Sequence, residues 1–288
     1  MTVHFSDHIQ NKSSDTKKPL VFITGASGGI GNAATRFFEK NGYRIWLTGR
    51  EKSKVEKIAQ ACKVERYTIA DLSNKDHIAE ICRLISESIE PIKIAFLNAG
   101  IVIPGRVLDI SNEAIETQFR VNFLSTSLLN KAVATHMVKH KKGHIINNLS
   151  MAAFVSLPLC ATYSATKSGL RGFLIALGDE VQPYNIDVTC LYSNAVDTPM
   201  LEYEAVNGGT PLNFLAPPLE TEDIINVLET AISEKKKAYF IPKSDTLLAR
   251  LLCIFPNLMR LRYNRWVEKG EEGRQAYIAK VKSRSVKM

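Results

Sequence analysis

The sequence is poor in cysteine, and what it has is scattered. Cys62, Cys82, Cys160, Cys190 and Cys253 are odd in number and form no C-x-x-C pair, which argues against a disulfide scaffold and a cysteine-based metal site. A reduced, cytoplasmic setting is the expectation, with no metal. Long apolar runs are missing as well. No stretch of about 20 residues is apolar enough for a membrane-spanning helix, and residues 1–18 lack the apolar core of a secretory signal. The most apolar stretch, 246–259, is too short and contains Arg250. Internal repeats and linkers are absent before residue 240, so the body reads as one domain. Charge is not evenly spread. The net charge is +8, yet residues 1–240 carry 26 Lys/Arg against 25 Asp/Glu, and residues 241–288 carry 11 against 4. The chain is a near-neutral body with a basic tail.

What is present is alternation. Apolar runs over 19–24, 43–48, 64–69, 92–97, 144–149, 186–192 and 238–241 predict strands, and helical patterns fill the gaps at 29–41, 51–61, 73–88, 111–117, 118–140, 161–182 and 221–233. This order predicts an α/β fold: a single doubly wound parallel sheet, Rossmann-like, with a C-terminal helical extension. The expected boundaries are a flexible arm over 1–18, the sheet domain over 19–242, and a basic amphipathic extension over 243–288.

The first strand runs into Thr24-Gly25-Ala26-Ser27-Gly28-Gly29-Ile30-Gly31. Glycines there permit a tight turn and close backbone approach to a pyrophosphate, with the helix N-terminus offering free N–H groups. The same residues fit G-x-S-x-G, the nucleophile elbow of hydrolases. An elbow on the first strand has no preceding sheet to supply an oxyanion loop, so the nucleotide reading is preferred. Asp71 follows the third strand, where it could reach an adenine ring or serve as a helix N-terminal acid. The second strand ends in Thr48-Gly49-Arg50, with a cation where a carboxylate would grip the ribose of NAD. Arg50 therefore favours the 2′-phosphate of NADP, with NADPH preferred over NAD.

Five features in order resemble the short-chain dehydrogenase/reductase family over about residues 19–242: the glycine turn, Asn98-Ala99-Gly100, Asn122, Ser150, and Tyr163-x-x-x-Lys167 thirteen residues after the serine. Reducing a carbonyl needs a proton donor at its oxygen. A phenol is a sluggish one at pH 7, and a lysine one helical turn away should lower its pKa. Tyr163 is thus the expected proton donor, Lys167 its tuner, and Ser150 the group that polarises the carbonyl. The resemblance implies that Lys167 also binds the nicotinamide ribose and that Asn122 helps hold a relay water. It implies a cofactor site of Gly25, Ser27, Gly28, Gly29, Ile30, Gly31, Arg50, Asp71, Leu72, Asn98, Ala99, Gly100, Tyr163, Lys167, Asn194, Val196 and Thr198. One departure stands out. Ser193-Asn194 occupies the position of the family's Pro-Gly, and Asn is the non-glycine residue best able to take positive φ there.

Residues 199–218 resemble the family's substrate lid. Met200, Leu201, Tyr203, Phe214 and Leu215 suggest an apolar substrate, with Pro158, Leu159 and Cys160 lining the same pocket. In the tail, Leu247, Leu248, Leu251, Leu252 and Phe255 share one helical face, widened by Ala249, Cys253 and Ile254. Pro256 interrupts it. Leu258, Met259, Leu261, Tyr263 and Trp266 then alternate with Arg260, Arg262 and Arg265. Three uses fit: a membrane surface, a second subunit, or a cover over the substrate entrance. Nucleic acid is not expected.

The expected function is NADPH-dependent reduction of a hydrophobic, lipid-like ketone or aldehyde in a dimer or tetramer. The alternatives are oxidation of an apolar or steroid-like alcohol, and a nucleotide-binding sensor or scaffold with little turnover.

Overall fold

A continuous apolar strand needs cover on both faces, and β2 (Leu20–Thr24) is buried along its whole length. In the computed structural model, which describes residues 3–9, 18–255 and 263–285, β3 (Arg44–Gly49) and β4 (Arg66–Ile69) lie in parallel on one side of it. On the other side follow β5 (Ile92–Leu97), β6 (Gly143–Ser150), β7 (Ile186–Ser193) and β8 (Ala238–Ile241), all parallel. Sheet growth reverses between β2 and β5, so a crevice opens beyond their carboxyl ends.

Helices α1 (Gly29–Lys40), α2 (Lys52–Ala61), α3 (Lys75–Glu87), α4 (Asn112–Phe119), α5 (Thr126–His140), α6 (Ala161–Val181), α7 (Pro199–Val206) and α8 (Thr221–Glu234) connect the strands. One apolar layer gathers around Phe22, Trp46, Leu129 and Met137, and the layer on the opposite face around Phe38, Leu47, Phe96 and Leu228. The boundary expected between helices at 117/118 is instead a π-turn, Arg120–Ser125, joining α4 to α5 without a break. Such turns recur at functional sites, and this one carries Asn122.

The N-terminal arm is partly structured. Ser6–Ile9 forms β1, an eighth strand paired antiparallel with β4 at the sheet edge. Its polar sequence carries no hydrophobic period, and side chains reinforce its backbone pairing with β4. The Asp7 carboxylate accepts from Arg66 at 2.8 Å and from the Thr68 hydroxyl at 2.6 Å, and Thr68 in turn accepts from Trp46 Nε1 at 2.8 Å. The Arg66 guanidinium stacks 3.6 Å from the Trp46 ring centroid.

Beyond β8 the tail forms α9 (Thr246–Ile254) and α10 (Tyr263–Ser285). The single apolar face expected for α9 divides in two. Ala249 and Leu252 turn inward, whereas Leu247, Leu251, Ile254 and Phe255 are exposed. Pro256, Leu258, Met259, Arg260, Leu261 and Arg262 lie outside the described residues.

Asp7→Ala would strip the edge strand of its anchor and leave Arg66 half-buried without a partner. A loss of about 2 kcal/mol is expected, read as a fall in Tm of roughly 4–8 °C. An unchanged thermal melt would show that β1 adds nothing to the fold.

Candidate active site

The crevice between β2 and β5 opens into a cavity of about 1030 Å³ that runs from Arg50 to Trp266. Along one side of it the β2–α1 turn makes contacts that only glycine allows. Gly25 has φ +69°, and a Cβ there would sit 2.8 Å from Ala99 Cα. A Cβ on Gly31 would come within 2.1 Å of the Gly25 carbonyl oxygen, and one on Gly29 within 2.8 Å of Thr198 Cγ2. No side chain caps the N-terminus of α1 at Gly28. Its first N–H groups and dipole are thus left for an anion. Gly25, Ser27, Gly28, Gly29 and Ile30 line the cavity and fit the pyrophosphate of a dinucleotide, whereas Gly31 lies behind them, packed on the Gly25 carbonyl.

Arg50 is exposed at the cavity's edge and makes no ion pair among the described residues. Lys54 lines the same edge, paired to Glu51 at 2.8 Å. It is a second cation that the strand-end motif did not reveal, because it lies one helical turn into α2. Asp71 and Leu72 also border the cavity. Asp71 Oδ1 accepts from the backbone N–H and hydroxyl of Ser73 at 2.9 and 2.8 Å, and the entry to α3 is capped by Asn74 rather than by Asp71.

Asn98 is a positioning residue. Its N–H and that of Ala99 both donate to Thr24 Oγ1 at 3.0 Å, its side chain donates to the Thr24 and Gly25 carbonyls, and Asn148 donates to its Oδ1 at 2.9 Å. Asn122 is similarly occupied. Its Oδ1 accepts from Ile101 N–H and its Nδ2 donates to the Ile101 carbonyl, each at 2.8 Å, with a further bond to Thr166. A Cβ on Gly100 would lie 3.4 Å from Asn122 Oδ1 and 3.5 Å from Lys167 Nζ. Asn122 and Lys167 therefore close around Gly100.

Ser150, Tyr163 and Lys167 come together where the nucleotide cleft meets the lid. Ser150 ends β6, its hydroxyl accepts from Ala152 N–H at 3.1 Å, and it lines the cavity with Tyr163. Lys167 Nζ lies 5.4 Å from the Tyr163 ring centroid, and the lysine is buried. The electrostatics differ from the expectation. Burial, then the nearby Glu204 carboxylate, holds the Tyr163 phenol well above its ordinary range, although Ser150 acts to lower it. Burial likewise lowers Lys167 to about 8. Desolvation penalises both charged forms, and it outweighs the attraction anticipated between them.

The residues after β7 reach the cavity without the family's Pro-Gly. Asn194 does not adopt positive φ. Its side chain instead donates to Asp245 at 2.6 Å and its N–H to the Ile241 carbonyl. Val196 and Thr198 line the cavity, the Thr198 hydroxyl donating to the Val196 carbonyl at 3.1 Å.

Of the expected lid residues, Met200, Leu201, Tyr203 and Leu215 line the cavity. Phe214 turns away to pack on Tyr277 of α10, ring centroids 5.3 Å apart. Cys160 borders the pocket together with Leu157, rather than with Pro158 or Leu159.

Most of what sequence reasoning missed comes from the tail. Ala249, Leu252 and Trp266 form part of the pocket wall, so the third of the three uses considered for the tail is realised. Trp266 faces the cavity rather than serving only as an exposed anchor. The basic end of α10 grips Asp197, the residue before Thr198. Tyr277 donates to it at 2.7 Å, Arg284 at 2.9 and 3.2 Å, and Lys280 at 3.2 Å. Burial alone would raise this carboxyl, but those bonds bring it below the ordinary range. Gly270 and Gly273 bring α10 against the lid, where Cβ atoms would sit 2.3 Å and 2.2 Å from the Pro211 and Phe214 carbonyl oxygens.

Residues 19–207 match the short chain dehydrogenase family. Human estradiol 17-beta-dehydrogenase 11 is 32% identical over 244 residues, covering 82% of this chain and 79% of the relative. Human 17-beta-hydroxysteroid dehydrogenase 13 is 28% identical over 253 residues, covering 85% and 82%. A short-chain dehydrogenase from Sphingobium yanoikuyae, solved in complex with NADPH, superposes with a TM-score of 0.73 at 25% identity, covering 85% of this chain and 95% of that one. The chain thus belongs to the short chain dehydrogenase family and is an NAD(P)-dependent oxidoreductase.

Proposed function

We propose that the protein uses NADPH to reduce a ketone or aldehyde on an apolar skeleton to the alcohol. The observation that carries this reading is the convergence of Ser150, the half-buried Tyr163 and the buried Lys167 at the junction of nucleotide cleft and apolar pocket. Bound nicotinamide would supply the hydride. Gly25, Ser27, Gly28, Gly29, Ile30 and Gly31 would hold the pyrophosphate, Arg50 the 2′-phosphate, and Asp71 and Leu72 the adenine side. Asn98, Ala99, Gly100, Asn194, Val196 and Thr198 would border the nicotinamide, with Lys167 at its ribose.

Tyr163, kept protonated by burial, delivers its proton to the carbonyl oxygen as negative charge develops there. Ser150 holds that oxygen and orients it. The phenolate left behind is stabilised by the Lys167 ammonium, which is charged at pH 7 with a pKa of about 8. Asn122 fixes the loop at Ile101, next to Gly100, and donates to Thr166, the neighbour of Lys167.

The same atoms run backwards would oxidise an alcohol. That second reading draws on the relatives named for estradiol and 17-beta-hydroxysteroid chemistry. Intact Ser150, Tyr163 and Lys167 weigh against a sensor with little turnover.

Among the described residues no helix is long and apolar enough to cross a membrane. Peripheral contact through α9 is the reading that suits Leu247, Leu251, Ile254 and Phe255, exposed beside Arg250. All five cysteines are free, which favours a cytoplasmic location. Phe119, Leu124 and Leu128 are exposed along α4, the π-turn and α5 and supply a face for a homo-oligomer.

Tyr163→Phe should lower kcat for NADPH-coupled carbonyl reduction by about a thousandfold while NADPH binding, followed by fluorescence titration, is retained. Undiminished turnover would remove Tyr163 from the mechanism. Arg50→Ala should weaken NADPH by roughly tenfold or more and leave NADH nearly unaffected; equal losses would refute the 2′-phosphate assignment. Leu247→Glu with Leu251→Glu should reduce binding to phosphatidylserine vesicles by at least about tenfold. Activity on a short soluble carbonyl should be kept. Wild-type sedimentation with vesicles would dismiss α9 as the contact.

A further inference from the structure

Glu204 is a carboxylate among the apolar lid residues Met200, Leu201, Leu212 and Leu215 that line the cavity. It sits on α7, lines the cavity and is about nine-tenths buried. Burying a carboxylate is costly unless a partner compensates it. No cation pairs with Glu204 among the described residues. Oε2 accepts one hydrogen bond, from Asn213 Nδ2 at 3.1 Å, and no described side chain donates to Oε1. Asn213 belongs to the turn Pro211–Phe214 that α10 clamps through Gly270 and Gly273. One carboxylate oxygen is therefore anchored to a braced turn, and the other is left for whatever fills the cavity. The charge is felt by Tyr163 and Cys160, which places it on the Tyr163 side of the pocket.

We propose that Glu204 selects substrates bearing a hydroxyl group, whose O–H donates to Oε1 while the carbonyl lies at Tyr163 and Ser150. The inference rests on the carbonyl-reductase reading and narrows it. The substrate becomes an apolar molecule with two oxygens, one reduced and one recognised. A plain apolar ketone would leave the buried carboxylate unpartnered, and a site built around such a group discriminates by that penalty.

Burial holds the Glu204 carboxyl up at about 7, and a donor hydroxyl favours its ionised form. Recognition should therefore strengthen as pH rises through about 7. The groups facing Glu204 do not titrate there: Asn213 is neutral, and burial keeps both Tyr163 and Cys160 protonated. Lys167 lines the same cavity and titrates near 8. It acts equally on matched substrates and cancels in their ratio.

The test uses omega-hydroxy aldehydes of graded chain length and the matched plain aldehydes. Binding to the full chain is followed by fluorescence of Trp266, which lines the cavity. At the chain length that spans the pocket, the wild type should bind the hydroxylated member about tenfold more tightly, with a preference that grows above pH 7. Glu204→Leu should bring the pair to parity. Glu204→Gln keeps an acceptor for Asn213, guards against misfolding, and should lose the pH dependence. Parity in the wild type at every length, or a preference unchanged in both variants, would overturn the inference. NADPH oxidation on the same pairs separates the two readings. A hydroxyl preference in binding without turnover supports Glu204 and refutes the reductase, and turnover without preference does the reverse.

Discussion

The site depends on a close approach of bare backbone at the ends of β2 and β5. Gly25 lies against Ala99 with no room for a single carbon between them, and Gly31 lies against the Gly25 carbonyl. The Thr24 hydroxyl gathers the N–H groups of Asn98 and Ala99 across the same gap. This contact merges two strand ends into one edge. From it the remaining distances follow: Gly29 touches Thr198 at the start of the lid, and Gly100 touches Asn122 and Lys167 at the chemical end. The phosphate cradle and the proton donor are consequently fixed to one piece of backbone rather than to separate loops.

Burial sets the protonation states at the chemical end. A phenol and an ammonium withdrawn from bulk solvent are each driven toward the neutral form, and Glu204 adds repulsion against a phenolate. This suits a group whose task is to give a proton up. It also means that Lys167 works mainly after the transfer, when a phenolate exists for its charge to meet.

The sheet was legible because parallel strands announce themselves as short apolar runs between amphipathic helices. The glycine turn, Asn98-Ala99-Gly100, Ser150 and Tyr163-x-x-x-Lys167 were legible because each is compact in sequence. Three things were not. Ser6–Ile9 pairs with β4 along the backbone and is anchored by Asp7 to Arg66 and Thr68, and such polar anchoring leaves no hydrophobic period to read. The burial of Tyr163 and Lys167 is a property of the assembled pocket, so a helical i, i+4 pair conveyed the attraction but not the desolvation that exceeds it. The tail offered an apolar stripe and a surplus of cations, yet nothing local says that Ala249 and Leu252 face inward while Leu247 and Leu251 face out. Nor does a run of cations show that two of them, Lys280 and Arg284, meet Asp197.

That last contact spans 87 residues between Asp197 and Arg284. The backbone next to Thr198 is thus held by groups that emerge from the ribosome long after the sheet strands around it. A nascent chain ending at β8 already has its glycine cradle, Ser150, Tyr163 and Lys167, but its substrate pocket has no Trp266 and no brace on the lid. In the order of synthesis, the pocket is finished last.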